Sequence, residues 1–71
     1  MNESHCFIEV RGNKEALIDG MSTILEFSEE RIVLLVKHQK IAINGTHLTL
    51  VTMNDQRVSV DGNIISLEYL N

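Results

Sequence analysis

Apolar and polar residues alternate with a period of two along most of this chain. Cys6, Ile8 and Val10 are interleaved with Phe7, Glu9 and Arg11, and Leu48 and Leu50 with His47 and Thr49. Val58 and Val60 are interleaved with Arg57, Ser59 and Asp61, and Ile65, Leu67 and Tyr69 with Ser66 and Glu68. Successive side chains of a strand point to opposite faces, so each segment predicts a strand with one buried and one solvated face. Residues 32–36 (Ile-Val-Leu-Leu-Val) break the pattern with five apolar positions in succession. That run predicts a strand covered on both faces, placed centrally in the sheet or packed at an oligomer contact.

Turn-forming residues divide these segments at short intervals: Gly12-Asn13, Asp19-Gly20, Ser28-Glu29-Glu30, His38-Gln39, Asn44-Gly45, Asn54-Asp55 and Asp61-Gly62. If Asn44-Gly45 is a two-residue hairpin turn, Ile43 faces Thr46 and Ile41 faces Leu48; the same construction at Asp61-Gly62 pairs Val60 with Asn63 and Val58 with Ile65. The expected fold is all-β: a single small domain of about seven or eight short antiparallel strands, a meander forming a roll, a small sandwich or a partly open barrel. Val, Ile and Thr are abundant and Ala occurs only at positions 16 and 42, which suits a pleated backbone better than a helix. Residues 1–5 lie outside the pattern and are expected to be disordered.

A motif of apolar, any, Ile or Val, Asp or Asn, then Gly occurs three times, at residues 16–20, 41–45 and 58–62. Its glycines are separated by 25 and then 17 residues, an unequal spacing that argues against a solenoid. The repeat reads instead as reused turn geometry, or as a glycine bulge inside one sharply bent strand.

A chain of 71 residues buries a marginal core, and domains of this size commonly add disulfides, a metal or oligomerisation. Cys6 is the only cysteine, so no internal bridge can form, and it reads as a small buried hydrophobe in a reducing compartment. The first residues carry no basic segment leading into an apolar stretch, and no apolar run approaches a membrane span, which predicts a cytoplasmic protein. The formal charge of −4 comes from scattered single residues, and the aromatics are only Phe7, Phe27 and Tyr69. Nucleic acid is therefore disfavoured as a partner, since it calls for clustered Lys and Arg and for stacking rings.

Four residues invite a metal reading: His5, Cys6, His38 and His47. In the hairpin register His47 faces Ala42, four residues from His38, and four residues of strand span about 13 Å. Metal–ligand bonds near ~2.1 Å cannot bridge that gap. His5 and Cys6 are adjacent and point to opposite faces of one strand. The histidines read as surface residues. No serine sits in a nucleophile elbow, the paired carboxylates Glu29 and Glu30 fall in a turn, and no glycine-rich phosphate loop is present. No catalytic, cofactor-binding or metal-ligating residue is assigned, no cofactor is expected, and the chain is expected not to be an enzyme. A self-associating small domain is expected, burying residues 32–36 or an open strand edge against another copy.

Four stretches carry a resemblance to a known family. Ile18-Asp19-Gly20-Met21 is followed by Phe27-Ser28-Glu29-Glu30, then by residues 40–48 with Asn44-Gly45, and finally by residues 58–69 with Asp61-Gly62. In the order and spacing of its three glycine turns the chain resembles the YabP/YqfC family of sporulation proteins. The resemblance covers nearly the whole chain. It implies a non-enzymatic sporulation protein of the mother cell, assisting assembly of the spore coat or cortex through protein contacts. It also implies a protein partner, of the kind represented by a sporulation membrane protein at the forespore surface, with no membrane insertion of its own. A small-molecule-binding β-barrel or roll is the alternative reading.

Overall fold

The computed structural model describes residues 7–54 and 56–70, so the expectations for residues 1–5 and for Cys6 lie outside the described residues. Six antiparallel strands form one open sheet: β1 (Phe7–Arg11), β2 (Glu15–Asp19), β3 (Met21–Phe27), β4 (Arg31–Val36), β5 (Gln39–Asn54) and β6 (Arg57–Leu70), in the order β1-β2-β6-β5-β4-β3. The all-β antiparallel expectation holds, with fewer strands than the turn residues suggested. Asn44-Gly45 and Asp61-Gly62 are not turns. Each lies inside a strand, so four anticipated short strands merge into β5, of 16 residues, and β6, of 14.

Strands of that length cannot run straight here. Sixteen residues at about 3.3 Å each would extend roughly 50 Å, whereas the longest dimension of the molecule is 37 Å. Both strands bend at their glycines, and the sheet folds back so that its two halves cover one core. Ala16, Ile18, Val58 and Val60 come from the β2 side and Ile32, Leu34, Val36, Ile41 and Ile43 from the β4 side, with Leu48 and Ile64 beside the bends. The alternation seen in the sequence therefore works locally, with the inward-facing residues of each half meeting those of the other.

The hairpin registers expected at the two glycine pairs are replaced by long-range ones. Ile41 faces Tyr69 and Ile43 faces Leu67 on β6, while β4 lies on the other side with Ile32 opposite Ile43 and Leu34 opposite Ile41. β5 and β6 remain paired throughout because bulges absorb the bends: the register shifts between Asn44 and Gly45, between Thr46 and Thr49, and between Leu50 and Thr52. One bulge displaces Ile65, which is 69 % exposed while Ile64 is buried. Ile65 thus leaves the face that the period-two pattern assigned to it alongside Leu67 and Tyr69.

Residues 32–36 form most of β4, which is second from the edge of the sheet order and not central. Ile32, Val33, Leu34 and Val36 are nevertheless buried, because β3 and β5 flank β4 on both sides and the folded-over half covers its inner face. Val33, on the outer face, lies between its register partners Glu26 and Ala42. The apolar run is thus internal to one chain.

The turns carry much of the backbone strain. β4 and β5 are joined by Lys37 and His38, not by His38-Gln39, because Val36 pairs directly with Gln39. Both turn residues hold positive φ, 49° and 68°, as a type I′ hairpin requires. Neither is glycine or asparagine, so the turn is held in a costly conformation by the strands on either side of it. The β1–β2 turn uses Gly12 and Asn13 at φ 56° and 59°, residue types that adopt this geometry readily.

Two outcomes test this architecture. A Cβ added at Gly45 would overlap the carbonyl oxygen of Asn63 and lie 3.1 Å from the Cα of Ile64, in backbone that cannot yield. Gly45→Ala is therefore expected to cost at least ~2 kcal/mol by urea denaturation, while Thr49→Val on the exposed face of the same strand leaves the midpoint nearly unchanged. Replacing Lys37-His38 by Asn-Gly is expected to raise stability by about 1 kcal/mol, read as a higher urea midpoint with an unaltered slope.

Candidate functional site

Among the described residues the candidates of the sequence do not converge; His5 and Cys6 lie outside them. His38 sits in the β4–β5 turn, and His47 in the bulge of β5 with φ 56°, its side chain exposed. His47 and Leu48 together oppose Gly62, since Thr46 pairs with Asn63 and Thr49 with Asp61. His47 is therefore a position of backbone need, where histidine tolerates the left-handed region better than a β-branched residue would. Among the described residues no group of three or more His, Cys, Asp or Glu side chains could hold a metal ion.

Ser28 is occupied by the β3–β4 turn. Its hydroxyl accepts hydrogen bonds from the amides of Arg31 (3.0 Å) and Glu30 (3.3 Å), an arrangement in which a serine side chain stands in for a backbone turn. The neighbouring Glu29 and Glu30 have exposed side chains, and it is their backbone that is engaged. The Glu30 carbonyl accepts from the amide of Gly45 (3.0 Å) and the Glu29 carbonyl from that of Leu48 (2.8 Å), tying the turn to the bend of β5. The β1–β2 turn repeats the device, with Lys14 accepting from Gly62 (3.1 Å) and Asn13 from Ile64 (2.9 Å). Sequence reasoning had no signal for these contacts, which are made by main-chain atoms.

No polar or charged side chain is buried among the described residues. The ion pairs Arg11–Glu9 (3.1 Å), Arg57–Asp19 (3.5 Å) and Arg31–Glu26 (3.9 Å) all lie at the surface, where each is worth little. A depression of about 530 Å³ on the β2–β6 half is lined by Glu15, Leu17, Ile18, Asp19, Thr52, Arg57, Val58 and Ser59. A small molecule would meet the Asp19–Arg57 pair there.

What the surface offers instead is sheet edge and exposed apolar side chain. β1 and β3 are terminal in the sheet; β5 beyond its bend, residues 49–54, pairs only with β6, and β6 beyond its bend, residues 66–70, pairs only with β5. Leu25 and Phe27 on β3, Val51 and Met53 on β5, and Ile65 and Tyr69 on β6 are each about half exposed or more. Unpaired edges with apolar neighbours are where a sheet protein meets another chain. No helix among the described residues is long and apolar enough to cross a membrane.

Protein purified without a histidine tag is expected to keep its melting temperature unchanged in millimolar EDTA. A fall in melting temperature, reversed by added zinc, would place a metal on His38, His47 or the N-terminal His5 and Cys6.

Comparison with curated proteins and with solved structures finds no match. Comparison with protein families does: the YabP family matches residues 2–71, a span that takes in every strand and both bent glycine positions. Membership suggests a sporulation-related protein. With the match extending over essentially the whole chain, this protein belongs to the YabP family.

Proposed function

We propose that this protein is a non-enzymatic component of sporulation that assists assembly of the spore envelope, coat or cortex, through protein–protein contacts. The family match over residues 2–71 carries this reading. The surface supports it: unpaired edges lie beside Leu25, Phe27, Val51, Met53, Ile65 and Tyr69, whereas the polar side chains are dispersed and none is buried among the described residues. A substrate site needs a few convergent polar groups in a concave setting.

The contacts are of two kinds, with further copies of this chain and with a different protein. With residues 32–36 committed to the chain's own core, self-association falls to the strand edges. The second contact takes the protein to the forespore surface from the mother-cell cytoplasm. An acidic chain with a formal charge of −4 lacks the polybasic segment that would draw it to anionic lipid. Recruitment therefore depends on a partner, for which a membrane-bound sporulation protein is the simplest candidate.

A fluorescent fusion in the source organism is expected to appear only during sporulation, in the mother cell, and to gather at the forespore boundary. Deleting a neighbouring gene for a sporulation membrane protein is expected to disperse it. Steady vegetative expression, with normal spores after deletion of this gene, would reject the assembly role.

A further inference from the structure

The four unpaired edges differ in how well they could accept another strand. β1 alternates Glu9 and Arg11, which pair with each other at 3.1 Å. β3 is broken by register shifts between Met21 and Thr23 and between Ile24 and Glu26. β5 beyond its bend is broken between Leu50 and Thr52. Bulges and paired charges are the devices by which sheet proteins blunt their edges. β1 and β6 keep unbroken ladders, β1 along residues 7–11 and β6 along its free stretch, with Ser66, Leu67, Glu68, Tyr69 and Leu70 facing Asn44, Ile43, Ala42, Ile41 and Lys40; of the two, β1 already pairs its charges with each other.

The direction of the backbone groups on that stretch follows from the ladder. Gly45 donates its amide to Glu30, on the β4 side of β5. In an antiparallel ladder the main-chain groups of successive residues turn alternately to one neighbour and the other. Asn44 and Ala42 therefore turn to β6 and meet Ser66 and Glu68, leaving the N–H and C=O groups of Leu67 and Tyr69 directed away from β5. The β1–β2 turn covers this outer side of β6 as far as Ile64, whose amide bonds Asn13. Among the described residues nothing pairs with it from residue 66 onward.

Glu68 lies midway between Leu67 and Tyr69 and is the only charged residue of this stretch. The side-chain amide of Asn44 donates to Glu68 Oε1 (3.4 Å) and to Ser66 Oγ (3.2 Å), which orders the polar face of the strand. A second copy of this edge, joined antiparallel so that Leu67 of each strand bonds Tyr69 of the other, would set the two Glu68 carboxylates directly opposite. Like charges in that position are destabilising. In that register Glu68 opposes a second copy and favours a strand of opposite sign.

We propose that the outer edge of β6, residues 66–70, is a strand-addition site for a different polypeptide, whose incoming strand places Lys or Arg opposite Glu68 and apolar residues on either side of it. Backbone groups of Leu67 and Tyr69 provide the ladder, and the exposed ring of Tyr69 provides apolar contact on the other face. The inference deepens the assembly reading by naming one contact and its chemistry, and it is tested in vitro without reference to sporulation.

The chain can serve as its own probe. Isotope-labelled wild type is mixed with unlabelled Glu68→Lys, and mixed pairs are counted by native mass spectrometry against labelled and unlabelled wild type. Mixed pairs are expected to rise about tenfold, to weaken with salt, and to be absent from Glu68→Lys alone. Tyr69→Pro in either chain is expected to abolish them. It removes an amide that points away from β5, and circular dichroism confirms that the fold persists. Mixed pairs no more abundant than wild-type pairs, or unaffected by Tyr69→Pro where that variant is folded, would overturn the site. Wild-type pairs as abundant as mixed ones would overturn the demand for a basic strand and make the edge a self-association surface. Any of these outcomes leaves the localisation of the fusion protein to decide the sporulation role independently.

Discussion

The fold depends on one close approach of backbone to backbone. Where β5 and β6 bend together, a side chain on Gly45 would run into the Asn63 carbonyl, and one on Gly62 would come within 2.7 Å of the His47 carbonyl oxygen and 2.9 Å of the Leu48 Cα. Neither strand could come so near the other with a Cβ present. Because they can, a single sheet folds over sharply enough for both halves to bury their apolar faces against each other. A chain this short, with no cysteine pair, has few other ways to enclose a core. The core is thus a consequence of two absent side chains as much as of the apolar residues that fill it.

The two bends are held by equivalent means. Each of the turns β1–β2 and β3–β4 presents two successive carbonyls to the bent strand beside it: Lys14 and Asn13 to Gly62 and Ile64, Glu30 and Glu29 to Gly45 and Leu48. β1, β2 and the first part of β6 correspond in this way to β3, β4 and the first part of β5. Gly20, with φ 99° and its amide bonded to the Gln56 carbonyl, carries the chain from one half to the other in a single residue. The repeated Asn/Asp-Gly motif of the sequence marks these three places where the chain redirects. The half-to-half correspondence explains why two of its copies do the same work on neighbouring strands.

Much of this fold was legible in the sequence, and what was not shares one cause. Period two identified strands correctly around Ile8, Leu48 and Val60, and Ile8, Leu48, Leu50, Val58, Val60 and Leu67 pack in or against the core as expected, whereas Val10, Ile65 and Tyr69 are exposed. Asn-Gly and Asp-Gly, however, suit a hairpin and a bulged bend equally well, and the local pattern keeps apolar residues together in either. The choice was settled by what lies opposite, which is Asn63 and Ile64 for Gly45 and not Thr46. That is a contact across about eighteen residues of sequence, with no local signal. The reverse error occurred at the β4–β5 turn, where two unsuitable residues, Lys37 and His38, take positive φ because the strands around them fix the register. The same limit applies to the surface. His38, His47, Ser28, Glu29 and Glu30 lie at the surface, but which stretch of edge stays regular depends on where the bulges fall, and the bulges depend on the bends.

The bends also distribute the edges. A straight six-stranded sheet has two, at its outermost strands. Folding this sheet at Gly45 and Gly62 lets each of the two middle strands contribute its far half as an additional edge, because neither β2 nor β4 is long enough to follow β6 or β5 past its bend. Two of the four resulting edges, β3 and the far half of β5, are interrupted by bulges; β1 is regular with its charges paired to each other, and the fourth carries a single central carboxylate on an unbroken ladder. A bulge prevents pairing with any strand, whereas a charge prevents pairing only with strands of the same sign. An edge guarded by Glu68 alone is therefore selective in the sign of the strand it accepts, and that selectivity arises from the steric constraint that lets the core form.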